Sequence, residues 1–91
     1  MALEWDAAKN AANIGKHGIN FEDAKHIFDG PVLEKTDRRR DYGEERIAAV
    51  GVTMGLALYV VYTIRGGNRR IISARRANRH EREAYRLANT Q

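Results

Sequence analysis

The run "LALYVVYTIR", from Leu56 to Arg65, constrains the fold more than any other stretch. β-Branched and aromatic residues dominate it, so it reads as a strand apolar on both faces, at the centre of a sheet. Its apolar part is far too short to cross a bilayer as a helix. The glycines of "GGN" turn the chain back into "RRIISAR", the last strand. Alternation predicts Ile72 and Ala74 on one face of that strand, with Ile71, Ser73 and Arg75 on the other. Upstream, "RIAAVGVT" is a second strand joined through the tight connection "MG". "VLEKTDRRR" is a polar, exposed strand followed by a turn at "DYGE". These connections are short, so neighbouring strands are expected to be antiparallel.

Before Pro31 the period is helical. "EWD" opens as a short edge strand, and Asp6 is placed to cap a helix from about Ala7 to His17. The apolar side of that helix is small, consisting of Ala8, Ala11, Ala12 and Ile14. Gly18 ends it as a left-handed residue. Asn20 caps a second helix that carries Phe21, Ala24, Ile27 and Phe28 on one face, and "DGP" closes it. At the other end of the chain, Asn78 and Glu81 form a capping-box pattern. It opens a last helix with Ala84, Leu87 and Ala88 as its apolar stripe. Two N-terminal helices, a three- to four-stranded antiparallel sheet and a C-terminal helix make a single α+β domain over residues 1–91.

A chain of 91 residues buries roughly 60–65% of its unfolded surface. It contains no cysteine, which excludes disulfides and thiolate metal sites as supports and fits a reducing cytoplasm. The N-terminus lacks the apolar core of a signal peptide. The net charge of +4 is unevenly spread. Acidic residues are in slight excess up to Ile64, whereas from Arg65 onward eight arginines face only Glu81 and Glu83. Arginine gives planar, bidentate recognition of phosphate and carboxylate, so a polyanionic partner is implied, either nucleic acid or an acidic protein segment. A solvated charged face is the alternative.

The arginines gather in "IISARRANRHEREAY", where a strand hands over to a helix. Arg75 ends the strand, and Arg79 starts a helix whose first N–H groups point towards any bound anion. Arg82 follows one turn later, and Arg70 stands at the start of the same strand. Together these residues make a phosphate site, or else Arg75 and Arg76 pair with Glu81, Glu83 or a nearby Asp. Tyr85 neighbours Arg82 on the helix and serves either as a base-stacking or proton-donating group or as the rim of the core. His17 suits a helix C-terminus, or else serves as the proton-transferring member of a catalytic pair. The histidines have no metal-binding spacing, and no phosphate-loop or dinucleotide fingerprint occurs. A basic site without a cofactor suits RNA cleavage, where the substrate's own 2′-hydroxyl is the nucleophile.

Two segments, "EWDAAKNAANIGKHGINFEDAKHIFD" and "IISARRANRHEREAY", resemble in order the signature segments of BrnT-type toxins of bacterial type II toxin–antitoxin pairs. "GEERIAAVGVT" and "LALYVVYTIRGGNRR" fit the strands of that family, so nearly the whole chain is covered. The resemblance implies a RelE-like ribonuclease fold and an endoribonuclease that stops translation. The lack of a metal-ligand cluster makes metal-independent cleavage the expectation, and the composition and N-terminus a cytoplasmic location. The resemblance also implies a BrnA-type ribbon-helix-helix antitoxin, assembled as a 2:2 heterotetramer and supplying the contacts to operator DNA. On matching positions it places functional weight on Arg75, Arg76, Tyr85, Arg46 and His17. The competing class is a non-enzymatic basic module that binds nucleic acid or an acidic protein segment.

Overall fold

In the computed structural model, which describes residues 2–38 and 41–90, the elements follow in the order β1 (Leu3–Trp5), α1 (Ala7–His17), α2 (Phe21–Ala24), a 3₁₀ helix (Lys25–Asp29), β2 (Leu33–Thr36), β3 (Ile47–Thr53), β4 (Leu56–Arg65), β5 (Asn68–Arg76) and α3 (Arg79–Ala88). The sheet has five strands in the order β1-β5-β4-β3-β2. The expected meander is there, with β4 between β3 and β5 and antiparallel to both. What the antiparallel expectation omitted is β1, which pairs with β5 in parallel over Leu3–Trp5. A short connection forbids a parallel pair only between consecutive strands. β1 reaches β5 across the whole chain, so the sheet is mixed. The polar strand is also shorter than expected, ending at Thr36, and Arg39 and Arg40 lie outside the described residues.

One face of the sheet carries the larger core, with Phe21, Ala24 and Ile27 packed on Ala49, Leu58, Val60, Tyr62, Ile71 and Ala74. The second helix delivers this cover in two pieces, one α-helical turn followed by the 3₁₀ helix. Gly51 permits their close approach. A Cβ there would stand 2.8 Å from the Ile27 Cβ, a distance that packed carbons do not tolerate. The opposite face carries a smaller cluster of Ala48, Val50, Tyr59, Val61 and Ala77, with Ile72 and Tyr85 against it.

Simple alternation fails on β5. A bulge lies between Val61 and Tyr62, which pair with Ser73 and Ile71, so Ile72 is the extra residue. It moves Ile71 onto the same face as Ala74 and sends Ile72 to the face of Ser73 and Arg75. The stripes expected of α1 and α3 are corrected as well. Ala8, Ala11, Ala12 and Ile14 are all exposed, as are Ala84, Leu87 and Ala88. Alanine buries too little area to dock a helix alone, and both helices attach through polar side chains.

On α1 that side chain is Asn13, which is buried although polar. Its Oδ1 accepts from the Ala74 N–H at 3.1 Å, and its Nδ2 donates to the carbonyls of Ala74 at 2.8 Å and Ile19 at 2.9 Å. The carboxamide therefore pairs the edge of β5 beyond the end of β1, as a further strand would. The helix ends conform to the sequence reading. Asp6 accepts from the Lys9 N–H, and Gly18, at φ 71°, donates to the Ile14 carbonyl.

Candidate active site

α3 crosses the face of the smaller core. Its capping box is complete, because Asn78 accepts from the Glu81 N–H while Glu81 accepts from the Asn78 N–H. Further along the helix, the Tyr85 hydroxyl donates to the Pro31 carbonyl at 2.9 Å. Between α3 and the sheet lies a cleft of about 240 Å³, lined among others by Lys35, Val50, Tyr59, His80 and Glu81. A second hollow of about 290 Å³ shares Lys35 and Tyr59 and adds Asp37 and Arg38.

Arg75 stands where these elements meet. Its register partner on β4 is Tyr59, and its guanidinium lies 4.0 Å above the Tyr59 ring centroid. The two ends of its fork donate to the two oxygens of Glu81 at 2.8 Å each. This is the bidentate, stacked geometry that lysine cannot reproduce. Burial works against the charge on Glu81. The Arg75 fork, the Asn78 N–H and the nearby charges of Arg75 and Lys35 outweigh that penalty and hold its carboxyl below the ordinary value. A planar carboxylate thus occupies the position in which the fork would hold a phosphoryl group.

The other residues singled out in the sequence are distributed unevenly. Arg46 precedes β3 beside the loop leading to it, with its guanidinium 3.9 Å above the Tyr42 ring and 3.4 Å from Glu44. Tyr85 is half-buried against the small core, the rim position that periodicity allowed for it. Arg76 and Arg79 are exposed and make no ion pair among the described residues. Arg82 donates to the Ala77 carbonyl at the start of α3. Arg70 is committed to Glu4 on β1 at 2.7 Å, which argues against a free phosphate contact there. His17 does not reach the cleft. It lies at the edge of β5 in a separate notch with Lys9, Lys16 and Ser73.

Sequence reasoning passed over Tyr59, Glu81, Lys35 and His80 as members of one site. Tyr59 was concealed in a strand apolar on both faces. Glu81 was read as half of a capping box and, as the alternative to a phosphate site, as a partner of Arg75, and it is both. No group of three or more His, Asp or Glu side chains is placed to hold a metal ion among the described residues.

Comparison with known proteins agrees with the resemblance seen in the sequence. A sequence profile for the ribonuclease toxin BrnT of type II toxin–antitoxin systems matches residues 5–81. The fold is similar to the crystal structure of the Brucella abortus ribonuclease toxin BrnT, at 28% identity and a TM-score of 0.65. That likeness covers 87% of this chain and 99% of the Brucella chain. No protein of curated function matches. With most of the chain inside the profile, from the last residue of β1 to the first turn of α3, the chain belongs to the BrnT family of ribonuclease toxins of type II toxin–antitoxin systems.

Proposed function

We propose that this protein cleaves RNA in the cleft under α3, without a metal ion, and that its cutting of RNA stops translation in the cytoplasm. The carrying observation is the Arg75 fork, held flat on Tyr59 by two bonds to Glu81 within reach of the Lys35 charge. In the reaction the RNA 2′-oxygen loses its proton and attacks the adjacent phosphorus. The bond to the 5′-oxygen breaks, and that oxygen takes up a proton as it leaves. A phosphoryl group displaces the Glu81 carboxylate from the Arg75 fork, so the negative charge that grows on phosphorus meets a preoriented donor pair. Proton transfer falls to His80, which lines the cleft. His17 meets the RNA outside the cleft, in the neighbouring notch, while Arg46 and Arg76 supply flanking positive charge.

The family supports a cognate antitoxin, which we take to be of the BrnA type and to form a 2:2 complex that covers the arginine face. The test is cleavage of RNA by the pure toxin in the presence of EDTA. Products ending in 2′,3′-cyclic or 3′-phosphate are expected, with no cutting of an all-deoxy strand. Activity abolished by EDTA, or equal activity on DNA, would refute the mechanism.

A further inference from the structure

The face that α1 turns towards the sheet is its most basic one. Lys9, Ala12, Asn13, Lys16 and His17 follow the helical period on one side, and Asn13 is the docking residue at the centre. A docking face flanked by lysines is unusual, because their charges gain nothing from an apolar neighbour. Together with Ile72 and Ser73 of β5, these residues line a shallow, open notch of about 220 Å³ that has no carboxylate in its lining. Neither lysine forms an ion pair among the described residues, whereas Lys25, on the 3₁₀ helix, is tied to Glu22 at 2.6 Å. The bulge adds Ile72 to the sheet face that Ser73 already shares with the notch. Ser73 shares its sheet face with Arg75, two residues further along the strand and about 7 Å away.

The geometry points to the notch as a phosphodiester subsite, in which Lys9, Lys16 and the Ser73 hydroxyl hold the RNA backbone beside the cleft. It rests on the proposed RNA-cleaving function and extends it by giving the strand a direction. The backbone enters over α1, crosses the β5 edge at Ser73 and reaches the Arg75 fork. Lys9 and Lys16 lie about 10 Å apart along the helix, so they bracket the notch without crowding each other. Their part is to position the strand and to take none in the bond-breaking step.

The test measures binding of a short, uncleavable 2′-O-methyl oligoribonucleotide across a range of salt, together with single-turnover cleavage at saturating RNA. The double variant Lys9→Ala/Lys16→Ala is expected to bind about three- to tenfold more weakly, with a salt slope shallower by about 0.7–1.4, the loss of one or two phosphate contacts. Its cleavage rate at saturation should equal that of the wild type. Lys25→Ala controls for net charge alone. Unchanged affinity and slope would overturn the subsite while leaving the Arg75 reading standing, and an equal loss in Lys25→Ala would overturn it too. Retained RNA affinity with weakened capture of a co-expressed antitoxin would reassign the notch to the protein partner and refute the inference. A wild-type protein that neither binds nor cuts RNA would refute the proposed function itself.

Discussion

Asn13 shows how much one polar side chain carries in this fold. The Ala74 N–H and C=O face an edge that no strand covers, and the Asn13 carboxamide satisfies both. Replacing it with alanine would leave two buried backbone groups unpaired, at about 1–3 kcal/mol each before water relieves them. Asn13→Ala is therefore expected to lower the melting temperature by roughly 10 °C or more. In amide exchange the Ala74 N–H should lose protection ahead of its neighbours on β5. Asn13→Asp is the sharper variant, since it keeps the acceptor for the Ala74 N–H but loses both donated bonds. A variant that melts like the wild type would mean that α1 docks by other contacts. Nothing in the pattern of residues reveals this role, because periodicity marks apolar positions and the anchor of α1 is an amide. Its capping residues, Asp6 and Gly18, were legible because caps act through local bonds that sequence spacing fixes.

Among the elements, α3 is held with little apolar contact, its Tyr85 ring packing on the smaller core. It buries no residue fully, and Leu87 is 61% exposed. What attaches it is the Glu81 pair with Arg75, the Tyr85 bond to Pro31 and the half-buried Tyr85 ring. Because the folded-state pKa of Glu81 is depressed, its contribution is complete above the ordinary carboxylate value. It is lost as pH falls through the lower, folded value. Glu81→Gln is expected to cost about 1 kcal/mol at neutral pH. Its melting temperature should then fall less steeply with acid than that of the wild type. Glu83 is also held low, but by Arg86 on the same helix, so Glu83→Gln should leave the docking of α3 unchanged. Identical acid profiles for wild type and Glu81→Gln would show that the pair does not latch the helix. The existence and start of α3 were readable from the Asn78–Glu81 spacing. Its docking was not, since the apolar stripe of Ala84, Leu87 and Ala88 faces solvent.

For the whole molecule, the strands of the meander were visible because β-branched runs and glycine turns are local signals. The edge position of β1 was expected too, but its partner and direction were not, because a parallel pairing across the length of the chain leaves no local trace. The site was legible in part for the same reason. The arginine handover announces positive charge, but the partners of Arg75 come from β4 and α3, and only the folded chain unites them. That union permits two roles for Arg75, as catalytic fork or as structural tie to α3. One paired measurement separates them, the single-turnover RNA cleavage rate and the melting temperature of Arg75→Ala, with Arg76→Ala alongside. A catalytic fork predicts a rate lower by ~10²–10³-fold, the scale of losing one oxyanion donor, with RNA affinity little changed. Removing the tie and the ring contact should cost about 1–2 kcal/mol of stability, and Arg76→Ala should cut much more like the wild type. Arg75→Ala protein that melts early yet cleaves RNA at the wild-type rate while folded would contradict the account.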